Sequence, residues 1–257
     1  MTARAIHFRA VPFDQIRAEV RDHLATLPSP IDSFLEDHIL ASAHYRIQVD
    51  GQEAGYASIH EQRLITQFAL RAPFRAAGQA VFAALRRTEQ VQSAYVPTCD
   101  EFYLSHALDD HRRLVMQAYF FVSGPEPPPV PEGFDVRVAR PADQALIEAA
   151  SGDFFDDLER RVADGEIFVT ERDGEPVSFG ISVPSALYDR VASIGMFTIE
   201  AQRRTGAGTA TISALIARCH ALGVRPVAGC WYFNHGSKRT LERAGLFAPT
   251  RLLKVDF

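Results

Sequence analysis

Phe197-Thr198-Ile199-Glu200-Ala201-Gln202-Arg203-Arg204-Thr205-Gly206-Ala207-Gly208-Thr209 runs from an apolar strand through a turn rich in small residues into a helix. Beyond Thr209, Ile212, Leu215, Ile216 and Cys219 recur at helical spacing and Gly223 stands where the helix should stop. The turn therefore sits at a helix N-terminus. First-turn amides there have no intrahelical partner, the helix dipole favours negative charge, and Gly206 and Gly208 let a phosphate approach the backbone closely. The stretch predicts an anion site on a strand-loop-helix unit.

The pattern is neither Gly-x-x-x-x-Gly-Lys-Ser/Thr nor Gly-x-Gly-x-x-Gly. Written as Arg203-x-x-Gly206-x-Gly208, it resembles the pyrophosphate loop of the GNAT N-acyltransferase superfamily, Gln/Arg-x-x-Gly-x-Gly/Ala. Downstream, Val227-Ala228-Gly229-Cys230-Trp231-Tyr232-Phe233 reads as a strand leading into Asn234-His235-Gly236-Ser237 and a helix that closes on Gly245-Leu246-Phe247. The superfamily has a strand ending in Asn-x-x-Ala/Ser and a short helix closing on Gly-Phe at this distance; here Gly245 and Phe247 stand one residue further apart. The resemblance covers the chain from Phe197 onward at motif level.

Outward from this region, the bounds are those of a soluble globular protein. A chain of 257 residues, 47% hydrophobic and 23% charged, can build one large or two small domains with their own cores. A net charge of −5 argues against a nucleic-acid partner, which needs a concentrated basic face. No segment is apolar enough to span a bilayer, and Arg4, His7 and Arg9 break up the N-terminus as a signal peptide, so no membrane partner is expected. Cys99, Cys219 and Cys230 have neither disulfide nor zinc spacing and suit a reducing cytoplasm, with no metal expected.

Five prolines between Ser123 and Gly133 exclude helix and central strand and mark a semi-rigid linker. The expected division is a first domain over 1–122, a linker over 123–133 and a second domain over 134–257. The two halves look alike. Tyr45–Ile59 reads as a hairpin turning at Asp50-Gly51, and Phe168–Ser182 as one turning at Asp173-Gly174. Phe68-Ala69-Leu70 leads to Arg75-x-x-Gly78-x-Ala80 and an apolar helix with Val81, Phe82 and Leu85, parallel to the stretch from Phe197 to Gly208 and its helix. The chain reads as a tandem repeat of one α/β fold.

The copies are unequal. After the strand Ser93–Asp100 the first half has no Asn-x-x-Ser and no closing Gly-Phe; Leu108 to Phe121 is left to supply a helix and strand, and an Asp100 carboxylate stands where the second copy has Asn234. The first half is expected to be degenerate, contributing packing or a substrate wall. In the second half Asp135–Ala139 reads as a strand, Pro141 starts a helix through Ala149, and a further helix covers Asp156 to Val162.

The resemblance implies two tandem GNAT-like α/β (α+β) domains, each a mixed, mostly antiparallel sheet flanked by helices and splayed at its two central strands to admit a pantetheine arm. It implies acetyl-CoA as co-substrate. The pyrophosphate would be held by the amides and side chains of Arg203, Arg204, Thr205, Gly206, Ala207, Gly208 and Thr209. The backbone of Phe197, Thr198 and Ile199 would pair with the arm, a backbone amide near Ile199 would polarise the thioester, and Asn234 and Ser237 would line the other wall. Many superfamily members carry a tyrosine seven residues after the strand-end asparagine to protonate the leaving thiolate. Leu241 stands there, which leaves Ser237, Tyr232 or water as the acid; Glu200 is the nearest carboxylate for a base. The expected activity is transfer of an acetyl group to a primary amine of a small molecule or amino acid. The alternatives are a protein or peptide N-terminal acetyltransferase and a non-catalytic acyl-CoA-binding module.

Overall fold

A computed structural model describes residues 4–88, 90–126 and 128–257. The chain forms two compact units. The first runs to Phe120 and is completed by Thr250–Phe257; the second is Phe121–Pro249.

The first unit opens with β1 (Ile6–Val11), α1 (Arg17–Thr26) and α2 (Ser33–Leu40), followed by β2 (Ala43–Val49), β3 (Gln52–His60) and β4 (Leu64–Leu70). Then come α3 (Gly78–Thr88), β5 (Ser93–Pro97), α4 (Glu101–Ala107) and β6 (Arg113–Ser123). The second unit holds β7 (Asp135–Val138), α5 (Gln144–Ser151), α6 (Leu158–Ala163), β8 (Ile167–Arg172), β9 (Glu175–Pro184) and β10 (Val191–Thr198). It continues through α7 (Ala207–Ala221), β11 (Arg225–Trp231) and α8 (His235–Arg243) to β12 (Leu246–Asp256), whose last residues lie in the first unit.

Within each unit the strand pairing is mixed and mostly antiparallel, as the sequence implies. β4 pairs parallel with β5, and β10 parallel with β11. Both predicted hairpins turn at Asp-Gly, because a two-residue turn that follows strand twist needs positive φ at both central residues. Asp50 and Gly51 have φ of 51° and 80°, and Asp173 and Gly174 have 53° and 81°.

Three sequence expectations are corrected here. The first half's late helix precedes Leu108: α4 starts directly after Asp100, whose carboxylate caps it by accepting from the Tyr103 amide at 3.1 Å. Asp100 and Asn234 are thus equivalent as helix caps. The last strand of the chain is also shared out differently: Leu252–Asp256 pair antiparallel with Pro97–Ser93 of β5, so residues 250–257 build the first unit although they follow the second copy in sequence. Finally, Ser123 of the expected linker still belongs to β6; the described residues 124–126 and 128–134 form no helix or strand, and Pro127 lies outside the described residues.

In the second unit, strand alternation sorts the side chains onto two faces. Phe179, Ile181, Phe197 and Ile199 pack with Ile147, Phe155 and Val162 from the α5–α6 side. On the opposite face α7 lies so close that a Cβ at Gly180 would meet Thr211 and Leu215, and one at Gly208 would meet Thr198 and Met196. Buried hydroxyls lock this face: Thr211 bonds Thr170 at 2.7 Å and Ser178 at 2.9 Å, and Ser178 donates to the Phe197 carbonyl at 2.9 Å.

Candidate acyl-transfer site

β10 and β11 pair only over Val191–Ser193 and Arg225–Val227, then part. The gap becomes a cleft of about 1400 Å³ running past Met196 and Thr198 on one wall and Gly229, Cys230 and Trp231 on the other. Backbone polarity along β10 follows from its pairing with β9. The Ile199 amide donates to the Val177 carbonyl at 3.2 Å, and in an antiparallel ladder alternate residues point their polar groups the same way. Phe197 and Gly195 therefore also bond β9, while Met196 and Thr198 turn their N–H and C=O groups toward the cleft. Of the amides near Ile199, its own is therefore committed to β9, and that of Thr198 faces the cleft.

At the loop end the backbone is shaped for an anion. Arg204 and Gly206 both lie in the left-handed region, with φ of 68° and 96°. For a non-glycine residue this conformation costs roughly 1–2 kcal/mol, and such strain gathers at ligand clamps. The turn delivers α7 with Gly206 at its N-cap and no side chain capping the first-turn amides. Arg172, which the sequence reading passed over, holds the loop by donating to the Thr205 carbonyl at 3.0 Å while its guanidinium stacks 4.1 Å from the Phe134 ring centroid. Its only local signal was its place beside the Asp173-Gly174 turn. Four arginines line the cleft: Arg203 and Arg204 from the loop, Arg239 and Arg243 from α8.

Of the expected cofactor residues, Phe197, Thr198, Arg203, Arg204, Gly206, Gly208, Thr209, Asn234 and Ser237 line the cleft; Ile199, Thr205 and Ala207 do not. Ala207 is buried as the first residue of α7, where its backbone rather than its side chain is at the loop. Asn234 caps α8 by accepting from the Ser237 amide at 3.0 Å, which leaves its amide nitrogen as the donor. Among the expected catalytic residues, Glu200 and Ser237 line the cleft and Tyr232 does not. Glu200 is the only carboxylate among the described lining residues; its side chain is 90% exposed and lies 3.9 Å from Arg203. Leu241 is buried. Of the two histidines singled out in the sequence, His220 is half-buried and bonded to Ser123 at 3.0 Å, and His235 opens α8.

The first unit's corresponding place is built differently. β4 and β5 likewise pair only at Leu64–Ile65 and Ser93–Ala94. Beyond that point Tyr103 donates to the Ile65 carbonyl at 2.9 Å, and Phe68 stacks on Phe102 at 5.7 Å with Phe82 and His106 alongside. The loop residues 72–77 form a 3-10 helix leading straight into α3, Gly78 keeps right-handed helical angles, and the His106 ring occupies the space a Cβ at Gly78 would take. No left-handed step opens an amide cradle there.

Sheet order, the splayed strands and the loop at a helix N-terminus define an acyltransferase-type α/β fold repeated twice. Residues 13–124 match the profile described as an acetyltransferase (GNAT) domain and residues 136–246 that of the acetyltransferase (GNAT) family; the chain belongs to the GNAT acetyltransferases, with two such domains in tandem. Among solved structures, a GNAT-family acetyltransferase from Colwellia psychrerythraea is similar with a TM-score of 0.87 at 15% identity, over 98% of this chain and 99% of that one. A GCN5-related N-acetyltransferase from Sphaerobacter thermophilus gives 0.67 at 18%, over 97% and 94%. A tandem GNAT protein from the clavulanic acid biosynthesis pathway gives 0.56 at 13%, over 98% of both chains. At these identities the likeness speaks for fold. No curated protein matches. Among the described residues no helix is long and apolar enough to cross a membrane.

Proposed function

We propose that the second unit is an N-acetyltransferase that moves an acetyl group from acetyl-CoA to the primary amine of a small molecule or amino acid in a ternary complex, and that the first unit is a copy without a cofactor site. The carrying observation is the slot between β10 and β11, with an uncapped helix N-terminus at one end and four arginines in its lining, set against a first-unit slot filled by aromatic side chains. The residues fit the group. The amides of Ala207, Gly208 and Thr209 with Arg203 and Arg204 suit a pyrophosphate, and the cleft-facing backbone of Met196 and Thr198 suits an extended amide-bearing arm.

Bound acetyl-CoA supplies the acyl group as an activated thioester. The amides of Met196 and Thr198 are the donors placed to hold the carbonyl oxygen as charge develops on attack by the amine. Glu200, the only carboxylate among the described lining residues, takes the amine proton through water. As the C–S bond breaks, Ser237 at the start of α8 donates a hydrogen bond to the departing thiolate, which takes its proton from water.

Calorimetric titration with acetyl-CoA tests this directly. One site per chain in the micromolar range is expected for the native protein, with no detectable binding by Gly206→Glu, whose carboxylate would face the pyrophosphate. No binding by the native protein overturns the proposal. A second reading, an acyl-CoA-binding module without turnover, draws on buried Leu241 where many members carry a tyrosine; binding without thiol release across a panel of amines would select it.

A further inference from the structure

The far side of the slot is aromatic. Gly152, at φ 55° and ψ −134°, ends α5, and Asp157, at φ 49°, precedes α6; between these two left-handed steps the chain makes a short bend. Phe155 anchors the bend in the core, packed edge to face at 4.8 Å against Phe154, which is left 51% exposed in the cleft. Phe154 also touches Phe197, 5.4 Å between centroids, so it lies on the α5–α6 face, opposite α7.

Trp231 belongs to the same face. Val191 of β10 packs with Val227 of β11, and Val191 is in step with Phe197 as Val227 is with Gly229 and Trp231. Trp231 is 58% exposed, lines the cleft and meets Phe233 edge to face at 5.1 Å. On this face Gly195 and Gly229, which line the cleft together with Phe154, Phe197 and Trp231, carry no side chain. The charge around the bend is negative: residues 153–159 contain Asp153, Asp156, Asp157 and Glu159 and no basic residue. Asp156 and Asp157 are met by Arg161 and Arg160, while Asp153 stands exposed beside Phe154. The cleft's own lining holds four arginines, from the loop and α8, and one carboxylate, Glu200.

We infer that the acceptor is a small cationic amine carrying an aromatic ring, its ring taken between Phe154 and Trp231 and its ammonium drawn by Asp153 beside Phe154. This rests on the transferase reading above. A solvent-facing pair of large aromatic side chains has little to gain in water, whereas a flat ring between them buries apolar surface on both sides, and a cation is attracted to the same ring faces.

Trp231 is the chain's only tryptophan, so its emission reads this mouth alone. The protein, in buffer and with saturating CoA, is titrated with 2-phenylethylamine, n-butylamine and phenylacetate, and acetyl-CoA affinity is measured separately by calorimetry. The expected result is a saturable emission change for 2-phenylethylamine at a midpoint at least about tenfold below those of the other two. Phe154→Ala should raise that midpoint about fivefold or more and leave acetyl-CoA affinity unchanged; the exposure of Phe154 makes the substitution safe for folding. Equal midpoints for the two amines, tighter binding of phenylacetate, no saturable change, or an unaltered midpoint in Phe154→Ala would each overturn the inference. Failure of acetyl-CoA to bind would instead strike the transferase reading, and the emission titration would still report on the aromatic mouth.

Discussion

Asn234 and Asp100 occupy equivalent places with the same local job, since each accepts a hydrogen bond from the amide three residues on and starts a helix. They differ in what lies beside them. Asp100 is buried and its other oxygen meets the His23 ring at 2.7 Å, whereas Asn234 opens onto the cleft among arginines. Two substitutions separate capping from ligand contact. Asn234→Ala should cost about 1 kcal/mol through the lost cap and also weaken acetyl-CoA binding. Asn234→Asp keeps an acceptor for the Ser237 amide but sets a negative charge beside the phosphates, so thermal melting should stay near native while calorimetric affinity falls. An Asp variant that binds as tightly as the native protein would remove Asn234 from the site. The comparison of Gly206 with Gly78 is less symmetrical than the motif suggests. Any side chain at Gly78 must displace the His106 ring, so a loss there would report packing in the first unit.

The helix N-termini behave as elements with distinct electrostatics. α2 begins at Asp32, buried, with its carboxylate accepting from the Leu35 amide at 3.2 Å. Burial is the dominant influence and pushes its carboxyl up to about 7 from an ordinary 3.8, with Asp37 and Glu36 adding to the rise. The folded state thus holds this proton more tightly than the unfolded chain. Stability linked to Asp32 is full below pH 3.8 and is lost as pH rises through about 7. Asp32→Asn keeps the cap acceptor and cannot ionise. It should melt higher than the native protein at pH 8 and alike at pH 4; a lower melt at pH 8 would contradict the assignment. The second unit has the opposite case at its first helix. The Arg137 guanidinium, bonded to both Asp143 oxygens, holds that carboxyl down to about 2, so its contribution is present at neutral pH and lost in acid as pH falls below 3.8. The loop-helix element from Glu200 to Ala221 was legible in advance, since glycine placement and helical periodicity are local signals. The amide directions of Met196 and Thr198 were not, because they depend on which β10 residues are spoken for by β9, and Val177 is 22 residues away from Ile199.

For the molecule as a whole, the sequence expects a degenerate first copy, with a single proposed cofactor site, in the second unit. Ligand that binds only the native second unit stabilises it by mass action, about 2.7 kcal/mol at a hundredfold excess over Kd. Hydrogen exchange with saturating acetyl-CoA should therefore slow in the loop, α7 and α8, while the amides of α3 and α4 keep their rates. Matched protection around Gly78 would mean that the first copy binds too.

The sequence by itself determined what short-range chemistry can encode: two copies of one α/β plan, Asp-Gly hairpin turns, a glycine loop opening a helix, and the family these features resemble. Tertiary structure decided three further things. The first slot is closed by Phe68, Phe102, Tyr103 and His106 converging from β4 and α4; the last strand is built into the first unit, through pairs such as Val255 with Ala94; and Phe154 meets Phe197 on the α5–α6 face of the second unit. Each depends on contacts between residues tens to more than a hundred positions apart, where periodicity and motif spacing carry no information and only the packed chain selects the partner.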